Sequence, residues 1–451
     1  MCYNENMVES FFFYDLETSG LRPREDRIMQ FAGQRTTLDL VPMGEPVNIL
    51  VKMTDDALPS PSAINVTGIT PQQTLADGLS EVEFCRYVTE EIFTPGTVAL
   101  GYNTVRFDDE FMRAIFWRNF YDPYEWEWKN GRSRFDILDL VRLTRALRPK
   151  GINWPFRPDG KPTNRLELLT SENGLSHEHT HDALSDVYAT IAVAKLIRDK
   201  QPELFKYLFE NRGKKDVARL VNLQKPVPFV YASGRYGNEF NKTTVVVPIA
   251  PSKNGNVLVY DLRYNLEELL ADEARESFYP IVKELCLNKC PAVAPLAVLN
   301  KDDGWGKIGL SLEKVEENLR ILNRHPEFKE QMRTENEEAP EYPPAVEPEG
   351  AIYDGFLNDK DRVKVEAVRN AEPFMLADFH PDFDDERLPE LLLHYKGRNF
   401  PECLSEYENE QWEKYRRARL ERQTPRFLLE LETVKDDFIR EELRFYAESL
   451  V

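Results

Sequence analysis

Residues 11–20 read FFFYDLETSG, and this stretch decides how the fold of the chain is interpreted. Four aromatic residues precede two acids, which predicts an apolar strand that ends in carboxylates. Side chains alternate along a strand, so Asp15 and Glu17 point to the same face, about 6.6 Å apart along the chain. A metal ion would offset their repulsion, whereas a solvated strand end is the more common reason for such a pair. The rest of the chain has to decide between the two interpretations.

Composition limits the class of protein. The chain has 451 residues, too many for one ordinary core, so two or three domains are expected. Mean hydropathy is −0.53, and no apolar run approaches the ~20 residues that span a bilayer. The first ten residues contain two glutamates and no basic residue, which argues against a secretory signal. Five scattered cysteines suit a reducing environment. We therefore expect a cytoplasmic protein with no membrane partner.

Charge is distributed unevenly. The net charge of −20 disfavours a nucleic-acid partner unless positive charge is concentrated locally. Residues 129–150 contain seven Lys or Arg against two acids, and residues 412–426 contain six against two. Residues 330–349 show the opposite bias, with seven acids and one Arg. A basic channel is therefore compatible with the acidic total.

Hydrophobic patterning predicts a first unit with a mixed sheet. Strands are expected at 10–18, 27–39, 46–53 and 97–103, and helices at 80–93, 107–120, 135–147, 164–173 and 182–200. Antiparallel strands followed by helix–strand–helix alternation indicate an α/β fold with helices on the faces of the sheet.

The pattern changes near residue 203. Short β-rich runs at 228–234, 243–250, 256–262 and 294–300 predict a small barrel or sandwich. Residues 334–350 are acidic and rich in proline, which indicates a linker, and residues 356–451 are almost wholly helical in pattern. The domains are expected at 1–201, 202–352 and 353–451.

Two further segments have acids where helices begin. GYNTVRFDDEFMRAIF (101–116) follows a strand and places Asp108 near a helix N-terminus, although Asp108 or Asp109 could be an ordinary helix cap. In HDALSDVYATIAVAKL (181–196), Asp182 is the expected N-cap, Asp186 falls in the first turn, and His181 lies in the preceding loop. Together with the first strand, these fragments form one set of four acids and a histidine.

Zinc is the rival interpretation of this region, because residues 177–187, HEHTHDALSDV, contain three of the six histidines. Metallo-β-lactamase-like hydrolases use H-x-H-x-D-H, and here His181 directly precedes Asp182, so that pattern is not met. Metal sites need a full set of ligands with suitable geometry. We therefore expect His177 and His179 to be loop residues.

The set Asp15, Glu17, Asp108, His181 and Asp186 resembles the DEDDh exonucleases. The chain is also similar to the bacterial exodeoxyribonuclease I family over essentially its full length, most specifically in the first 210 residues. This similarity is carried by the segments YNTVRFDDEFMRAIFWRNFYDPY, ALRPKGINWP, NRLELLT and THDALSDVYATIA. The resemblance implies a ribonuclease-H-like mixed sheet with flanking helices, a small SH3-like β domain and a helical C-terminal domain.

The resemblance implies a processive 3′-to-5′ exonuclease that degrades single-stranded DNA to 5′-mononucleotides in DNA repair and recombination. The four acids would hold two Mg²⁺ ions, for which Mn²⁺ could substitute, and Glu17 would also contact the substrate. His181 would take the proton from the attacking water. A DEDDh ribonuclease, a proofreading-type exonuclease and an inactive nucleic-acid-binding scaffold are the alternatives.

An aromatic and basic segment is expected to hold the DNA strand. Residues 116–135 contain eight aromatic residues, and bases stack on aromatic rings while cations follow the phosphates. Tyr124 and Trp128 are the expected stacking residues, with packing against the protein surface as the alternative. Surface ion pairs are the alternative for the cations. The cations expected on the strand are Arg113, Arg142, Arg165 and Lys214.

The resemblance further implies a protein partner, single-stranded-DNA-binding protein, whose acidic C-terminal tail would dock on a basic patch. Arg148 and Lys150 are candidates for that patch. The chain itself is expected to be a monomer.

Overall fold

The computed structural model describes residues 9–177, 182–272, 274–340 and 343–450. The strands of its first sheet are β1 (Ser10–Thr18), β2 (Ile28–Thr36), β3 (Val47–Leu50), β4 (Thr97–Gly101) and β5 (Ser133–Asp136). Their order is β3-β2-β1-β4-β5. β1 pairs antiparallel with β2 and parallel with β4, and β4 pairs parallel with β5. The predicted mixed sheet is therefore confirmed.

Helices cover both faces of this sheet. The α-helices of the first domain are α1 (Pro61–Thr67), α2 (Pro71–Asp77), α3 (Glu81–Tyr87), α4 (Asp108–Arg118), α5 (Ile137–Leu147), α6 (Leu166–Glu172) and α7 (Ala183–Lys200). A π-helical turn at Val88–Ile92 and 3-10 turns at Thr104–Arg106, Glu125–Glu127 and Lys129–Gly131 complete it.

The alternating side chains of β1 belong to two different cores. Phe11 and Phe13 are buried in the core that contains residues of α5 and α7. Phe12 and Tyr14 are buried in the core that contains residues of α3 and α4. A strand covered on both faces has to be apolar throughout, which explains its run of aromatic residues. Because Asp15 and Glu17 continue the Phe11 and Phe13 series, they face α7.

The end of β4 approaches β1 closely. A Cβ atom at Gly101 would lie 2.4 Å from the carbonyl oxygen of Tyr14, so only glycine fits there. The chain then turns through Asn103, which has a φ of 74°, into the turn that precedes α4. This path brings the N-terminus of α4 to the end of β1.

A second sheet with the order β10-β6-β7-β8-β9 forms the β domain. Its neighbouring strands are all antiparallel. The strands are β6 (Phe229–Ala232), β7 (Thr243–Pro251), β8 (Val257–Asp261), β9 (Val282–Leu285) and β10 (Ala292–Pro295). The helices before, within and after the sheet are α8 (Pro202–Glu210), α9 (Lys214–Leu220), α10 (Leu266–Leu270), α11 (Gly304–Lys307), α12 (Leu312–Arg324) and α13 (Pro326–Glu338).

Some predicted strands differ from the structure. The strand expected at 294–300 is wrong for most of its length, because β10 ends at Pro295 and Leu296–Asn300 form a 3-10 turn. The patterns did not predict β5, whose last two residues fell in the helix expected at 135–147, or β9.

The remaining helices are α14 (Asp359–Asn370), α15 (Arg387–Asn399), α16 (Glu406–Leu431) and α17 (Asp437–Ser449), so the predicted helical C-terminal region is confirmed. 3-10 turns lie at Asn238–Phe240, Pro348–Tyr353, Pro373–Asp378 and Pro401–Cys403. None of the helices in the described ranges combines the length and apolar character that a bilayer crossing requires.

A buried ionic cluster joins the C-terminal region to the first domain. Glu349 is 2 % exposed. It accepts hydrogen bonds from Arg27 at 3.2 Å, from Arg419 at 3.3 Å and from Arg398. Asp56, fully buried, pairs with Arg27 at 2.9 Å. Arg398 and Arg419 come from α15 and α16, so the cluster connects segments that are distant in sequence.

The linker predicted at 334–350 is therefore wrong in part. α13 continues to Glu338, and the turn that begins at Pro348 is packed between domains. An acidic, proline-rich composition indicates a solvent-exposed linker unless the acids pair with buried cations. Here the arginines of the C-terminal helices are such cations. The basic segment 412–426 is likewise used in part for pairing, through Arg416, Arg419, Arg422 and Arg426.

Candidate active site

Three carboxylates meet where β1 ends. Asp15, Glu17 and Asp186 each offer an oxygen atom, and these oxygens lie within 4.8 Å of one another. Asp182 caps α7 by accepting a hydrogen bond from the backbone N–H of Ser185 at 3.0 Å. This cap sets where α7 begins, so the first turn carries Asp186 over the face of β1 that holds the other two acids.

Asp108, the first residue of α4, contacts the backbone of the same strand. Its Oδ1 atom accepts a hydrogen bond from the backbone N–H of Leu16 at 3.1 Å, and the residue is 3 % exposed. Its neighbour Asp109 has a different role, because it accepts hydrogen bonds from the Tyr14 hydroxyl and from Arg134, both at 2.5 Å. Neither acid is an ordinary cap, since the N-cap residue of α4 is Phe107. Asp108 thus lies beside the acidic cluster, and Asp109 belongs to the buried framework.

The acids strongly perturb one another. Burial and the neighbouring Asp108 and Asp186 raise the pKa of Asp15 well above its ordinary value. Burial and Asp15 raise the pKa of Glu17 to about 9. Burial and Asp109 raise the pKa of Asp108. A divalent cation reverses this effect, because opposite charge favours the ionised form.

The donor set fits a hard divalent ion. All of its atoms are carboxylate oxygens, which are the ligands of Mg²⁺, Mn²⁺ and Ca²⁺ rather than of a structural zinc. Several partly buried acids in one place are costly unless a cation offsets them. The described part of the cluster therefore supports a divalent-metal site and gives no support to the zinc interpretation.

The histidines of the preceding loop are only partly described. His181, predicted as the proton acceptor, and His179 lie outside the described residues. His177 lies in the loop, as expected, and its Nε2 atom is 2.5 Å from Oδ1 of Asp186. Its Nδ1 atom lies 3.2 Å from the Thr170 hydroxyl. Sequence reasoning did not predict this contact with the acidic cluster, although the spacing of nine residues before Asp186 is visible in the sequence.

A cavity of about 450 Å³ adjoins Asp15 and Asp186. One wall comes from the first domain and the other from Asn238 and Lys242 of the β domain. Its cationic lining residues are Arg142, Arg157, Arg165 and Lys242. A larger cleft, of about 1160 Å³, lies between the first domain and the C-terminal region, and its lining does not include the acidic cluster. The cavity that adjoins the acidic cluster is the one suited to a phosphodiester, because its lining also supplies cations.

Two of the predicted cations line this cavity. The side chain of Arg165 is 66 % exposed and lies 3.8 Å from Glu167. Arg142 is mostly buried, with Nη1 at 2.6 Å from Asp139. Lys214 is exposed at the first residue of α9 and is not among the lining residues.

Sequence reasoning did not identify Arg157 and Lys242, which also line the cavity. Arg157 belongs to a short basic loop, RPDGK, that could have indicated it. Lys242 has no such signal, because the packing of the β domain against the first domain brings it to the cavity.

The predicted strand-binding residues after α4 have unequal exposure. Trp128 is 64 % exposed, and Tyr124 is partly buried beside Phe356, with ring centroids 5.9 Å apart. Arg113 differs from expectation, because its side chain is 5 % exposed and pairs with Glu127 at 2.5 Å. The Arg113 guanidinium lies 5.5 Å from the Tyr124 ring centroid. Arg113 is therefore packed beside Tyr124 and is not exposed as a cation for a DNA phosphate.

Known proteins match the chain over nearly its full length. The family described as Exonuclease matches residues 12–194, Exonuclease I SH3-like domain matches 212–336, and Exonuclease I C-terminal domain matches 346–444. Exodeoxyribonuclease I of Haemophilus influenzae is 41% identical over 436 residues, which cover 93% of this chain and 92% of that protein.

Solved structures give the same result. Escherichia coli exonuclease I in complex with a dA16 oligonucleotide has 38% identity and a TM-score of 0.92, covering 98% of this chain and 100% of that chain. A crystal structure of SSB/Exonuclease I in complex with the inhibitor CFAM has 37% identity and a TM-score of 0.90, covering 99% of this chain and 100% of that chain. With its acidic cluster, its three matched regions and its full-length relatives, the chain is a member of the exodeoxyribonuclease I family, and hence a nuclease of the exonuclease class.

Proposed function

We propose that the protein hydrolyses single-stranded DNA processively from the 3′ end and releases 5′-mononucleotides. The observation that carries the proposal is the cluster of Asp15, Glu17 and Asp186, with Asp108 beside it, at the edge of a cavity lined by arginines and a lysine. The acids suit metal-assisted hydrolysis, and the cations suit phosphates. A relative of this chain binds a dA16 oligonucleotide, which supports single-stranded DNA as the substrate.

We propose Mg²⁺ as the cofactor, bound as two ions by Asp15, Glu17, Asp108 and Asp186, with Mn²⁺ as a substitute. When bound, such ions stabilise the charge that develops on the attacking and leaving oxygens of a phosphodiester. The protein supplies the geometry. β1 fixes two of the carboxylates, and the N-termini of α4 and α7 fix the other two.

The remaining chemistry is assigned to single side chains. His181 accepts the proton of the attacking water, a task for which an imidazole is suited near neutral pH. Glu17 also orients the terminal nucleotide. Arg165 and Arg142 contact phosphates, and Trp128 and Tyr124 stack on bases. Lys214, exposed on α9, extends this path along the SH3-like domain.

Digestion of end-labelled strands tests the function. A 3′-labelled and a 5′-labelled single strand are incubated with the protein and Mg²⁺, beside matched RNA and duplex DNA. We expect the 3′ label to appear at once as a mononucleotide, and the 5′ label to remain on the strand until late. RNA cleaved as fast as DNA would support the ribonuclease alternative, and early release of the 5′ label would contradict the polarity.

A pair of histidine variants tests the assigned proton acceptor. His181→Ala should lower the single-turnover rate by about 10²–10⁴-fold while DNA binding is retained, since general base catalysis contributes about that much. His177→Gln, in the same loop, should change the rate far less, because a glutamine amide can still hydrogen-bond to Asp186 and Thr170, the partners of His177. An unchanged rate in His181→Ala would remove that residue from the mechanism.

We also propose a role in DNA repair and recombination, as a cytoplasmic monomer that binds the acidic tail of single-stranded-DNA-binding protein. A crystal structure of SSB/Exonuclease I supports the partner. The side chain of Lys150 is 76 % exposed and pairs with Asp302. Arg148 donates a hydrogen bond to the carbonyl oxygen of Val298, so the candidate patch borders the SH3-like domain. Lys150→Glu should weaken binding of an acidic tail peptide, and an unchanged affinity would move the patch elsewhere.

The division into domains at 1–201, 202–352 and 353–451 is part of the proposal. The matched regions change between 194 and 212, which supports the first boundary. The second change lies between 336 and 346, a few residues before the boundary that we predict.

A further inference from the structure

The carboxylate of Glu110 is contacted by all three domains. Glu110 lies in the first turn of α4, two residues after Asp108. Its Oε1 atom accepts hydrogen bonds from Arg113 at 2.9 Å and from Lys289 at 3.1 Å, and its Oε2 atom accepts one from the Tyr353 hydroxyl. Lys289 belongs to the turn between β9 and β10 of the SH3-like domain, and Tyr353 ends the 3-10 turn before the C-terminal helices.

Both incoming turns have a second attachment to the exonuclease domain. Arg134 donates a hydrogen bond at 2.8 Å to the carbonyl oxygen of Asn288, the residue before Lys289. The guanidinium of Arg24 lies 4.9 Å from the ring centroid of Tyr353. The contacts to Glu110 are therefore parts of two organised junctions, which meet on the helical turn that carries Asp108.

The junction is charged and partly shielded from water. The side chain of Glu110 is 18 % exposed, that of Lys289 is 36 % exposed, and Tyr353 is 44 % exposed. Hydrogen bonds to charged groups are shorter and stronger than neutral ones, and shielding reduces their screening by salt. Of the three bonds on this carboxylate, those from Lys289 and Tyr353 join other domains to α4, and that from Arg113 lies within α4.

We propose that Glu110 is a positioning residue that latches the SH3-like turn and the Tyr353 turn onto the first turn of α4. The position of both turns beside a bound strand is thereby coupled to the placement of Asp108. The inference rests on the proposed function, because it assigns the latch to retention of a strand between successive cuts. Glu110 itself touches no reacting atom in this scheme.

The test compares retention of the strand with the first cut. Variants Glu110→Gln, Lys289→Met and Tyr353→Phe remove one side of each contact, and Lys289→Arg keeps the charge. Nucleotides removed per binding event are counted on a long 5′-labelled strand after an excess of unlabelled strand is added as a trap. The rate of the first cut is measured in a single turnover, and thermal unfolding checks the fold.

We expect Lys289→Met and Tyr353→Phe to remove about tenfold fewer nucleotides per binding event, with a first-cut rate within twofold of the unmodified protein. Glu110→Gln should show the same loss and also a several-fold slower first cut, because Asp108 is on the same turn. Lys289→Arg should restore retention. The double variant Glu110→Gln with Lys289→Met should retain strands no worse than Glu110→Gln alone.

The control is Lys225→Met, which removes an exposed lysine from the segment before β6. Unchanged retention in both Lys289→Met and Tyr353→Phe would overturn the latch, and so would an equal loss in Lys225→Met. If Glu110→Gln fails to fold, the two partner variants decide. A protein that releases DNA after every cut would also overturn the latch, whereas a protein that does not cut DNA would refute the proposed function instead.

Discussion

The carboxylates of the candidate site are brought together at the expense of stability. The pKa values of Asp15, Glu17 and Asp108 are all raised, since burial and mutual repulsion disfavour their charged forms. Ionising them without a cation costs folding free energy, because a raised carboxyl pKa means that the folded state holds protons which the unfolded state has lost. Sites built for function commonly carry such a cost.

Asp15→Asn should therefore separate stability from activity. The amide keeps the shape of the side chain but removes one negative charge from the cluster. In the presence of a chelator at pH 8, we expect the variant to unfold at a higher temperature than the unmodified protein. With Mg²⁺, its single-turnover hydrolysis should be about 10²–10³-fold slower, a loss typical for a group that stabilises the transition state.

Added Mg²⁺ should raise the unfolding temperature of the unmodified protein more than that of Asp15→Asn, because a ligand stabilises the state that binds it. Asp77→Asn, an exposed acid at the end of α2, is the matched control and should change neither quantity. A variant less stable than the unmodified protein in chelator would contradict the argument from repulsion.

Asp26, an acid outside the cluster, should make the stability of the protein depend on pH. Burial and the neighbouring Glu25 raise its pKa to about 7. The unfolded state ionises near pH 4 and the folded state near pH 7, so this residue's contribution to stability is lost as the pH rises between those values. Asp26→Asn should be more stable at pH 8, by about 1–3 kcal/mol, and nearly unchanged at pH 4.5.

Denaturant unfolding at the two pH values measures this difference. Asp39→Asn serves as the control, because the Asp39 side chain is 92 % exposed. An equal gain at both pH values would show that the ionisation of Asp26 is not the cause.

At the scale of single elements, the segment after α4 combines a buried and an exposed tryptophan. Trp126 is 5 % exposed and donates a hydrogen bond from its indole N–H to the carbonyl oxygen of Pro123 at 3.0 Å. Its ring centroid lies 4.8 Å from that of Phe93. Trp128, two residues later, is 64 % exposed. The 3-10 turn Glu125–Glu127 contains Trp126 and ends just before Trp128, so that one ring enters the core and the other faces solvent.

Alanine variants of these tryptophans should have opposite effects. Trp128→Ala should leave the unfolding free energy nearly unchanged and weaken single-strand binding about tenfold or more, because stacking contributes about 1–3 kcal/mol per base. Trp126→Ala should cost about 3–5 kcal/mol of stability, as is typical for a large core aromatic. Fluorescence anisotropy and denaturant unfolding measure the two quantities. Unchanged affinity in Trp128→Ala would show that this residue does not stack on DNA bases.

At the scale of the whole molecule, buried charge joins the C-terminal domain to the exonuclease domain. Burial opposes ionisation of Glu349, but Arg398, Arg419 and Arg27 hold its pKa well below the ordinary value. The cluster therefore keeps its charge in the folded protein. Removing one partner of a buried pair is costlier than the pair is favourable, since it leaves the other charges uncompensated.

Glu349→Gln should consequently loosen the C-terminal domain. We expect a loss of about 3–5 kcal/mol in unfolding free energy, together with faster proteolysis near residue 345. Glu366→Gln is the control, because Glu366 is 64 % exposed and lies 3.7 Å from Arg369 on the surface of α14. Equal behaviour of the two variants would show that the buried cluster does not hold the domain.

Prediction from the sequence succeeded where local chemistry dominates. The aromatic run of β1 identified a central strand, and Asp182 correctly marked the start of α7, which placed Asp186 in its first turn. The prediction of a linker over the turn at Pro348 was wrong, because in a sequence a buried glutamate looks like a solvated one until its arginine partners are known. The prediction that Arg113 contacts DNA met the same difficulty, because the acids that pair with it lie in its own helix and in a later turn.

The sequence by itself determined the fold class and the acids of the site, because apolar periodicity, helix caps and carboxylate spacing depend on neighbours along the chain. Only the tertiary structure decided which charges remain open to a substrate. Arg165 and Lys242 line the cavity, whereas Arg113 and Arg419 are buried in ion pairs. Every arginine carries the same charge in a sequence, and its availability depends on which acids the folded chain brings within reach.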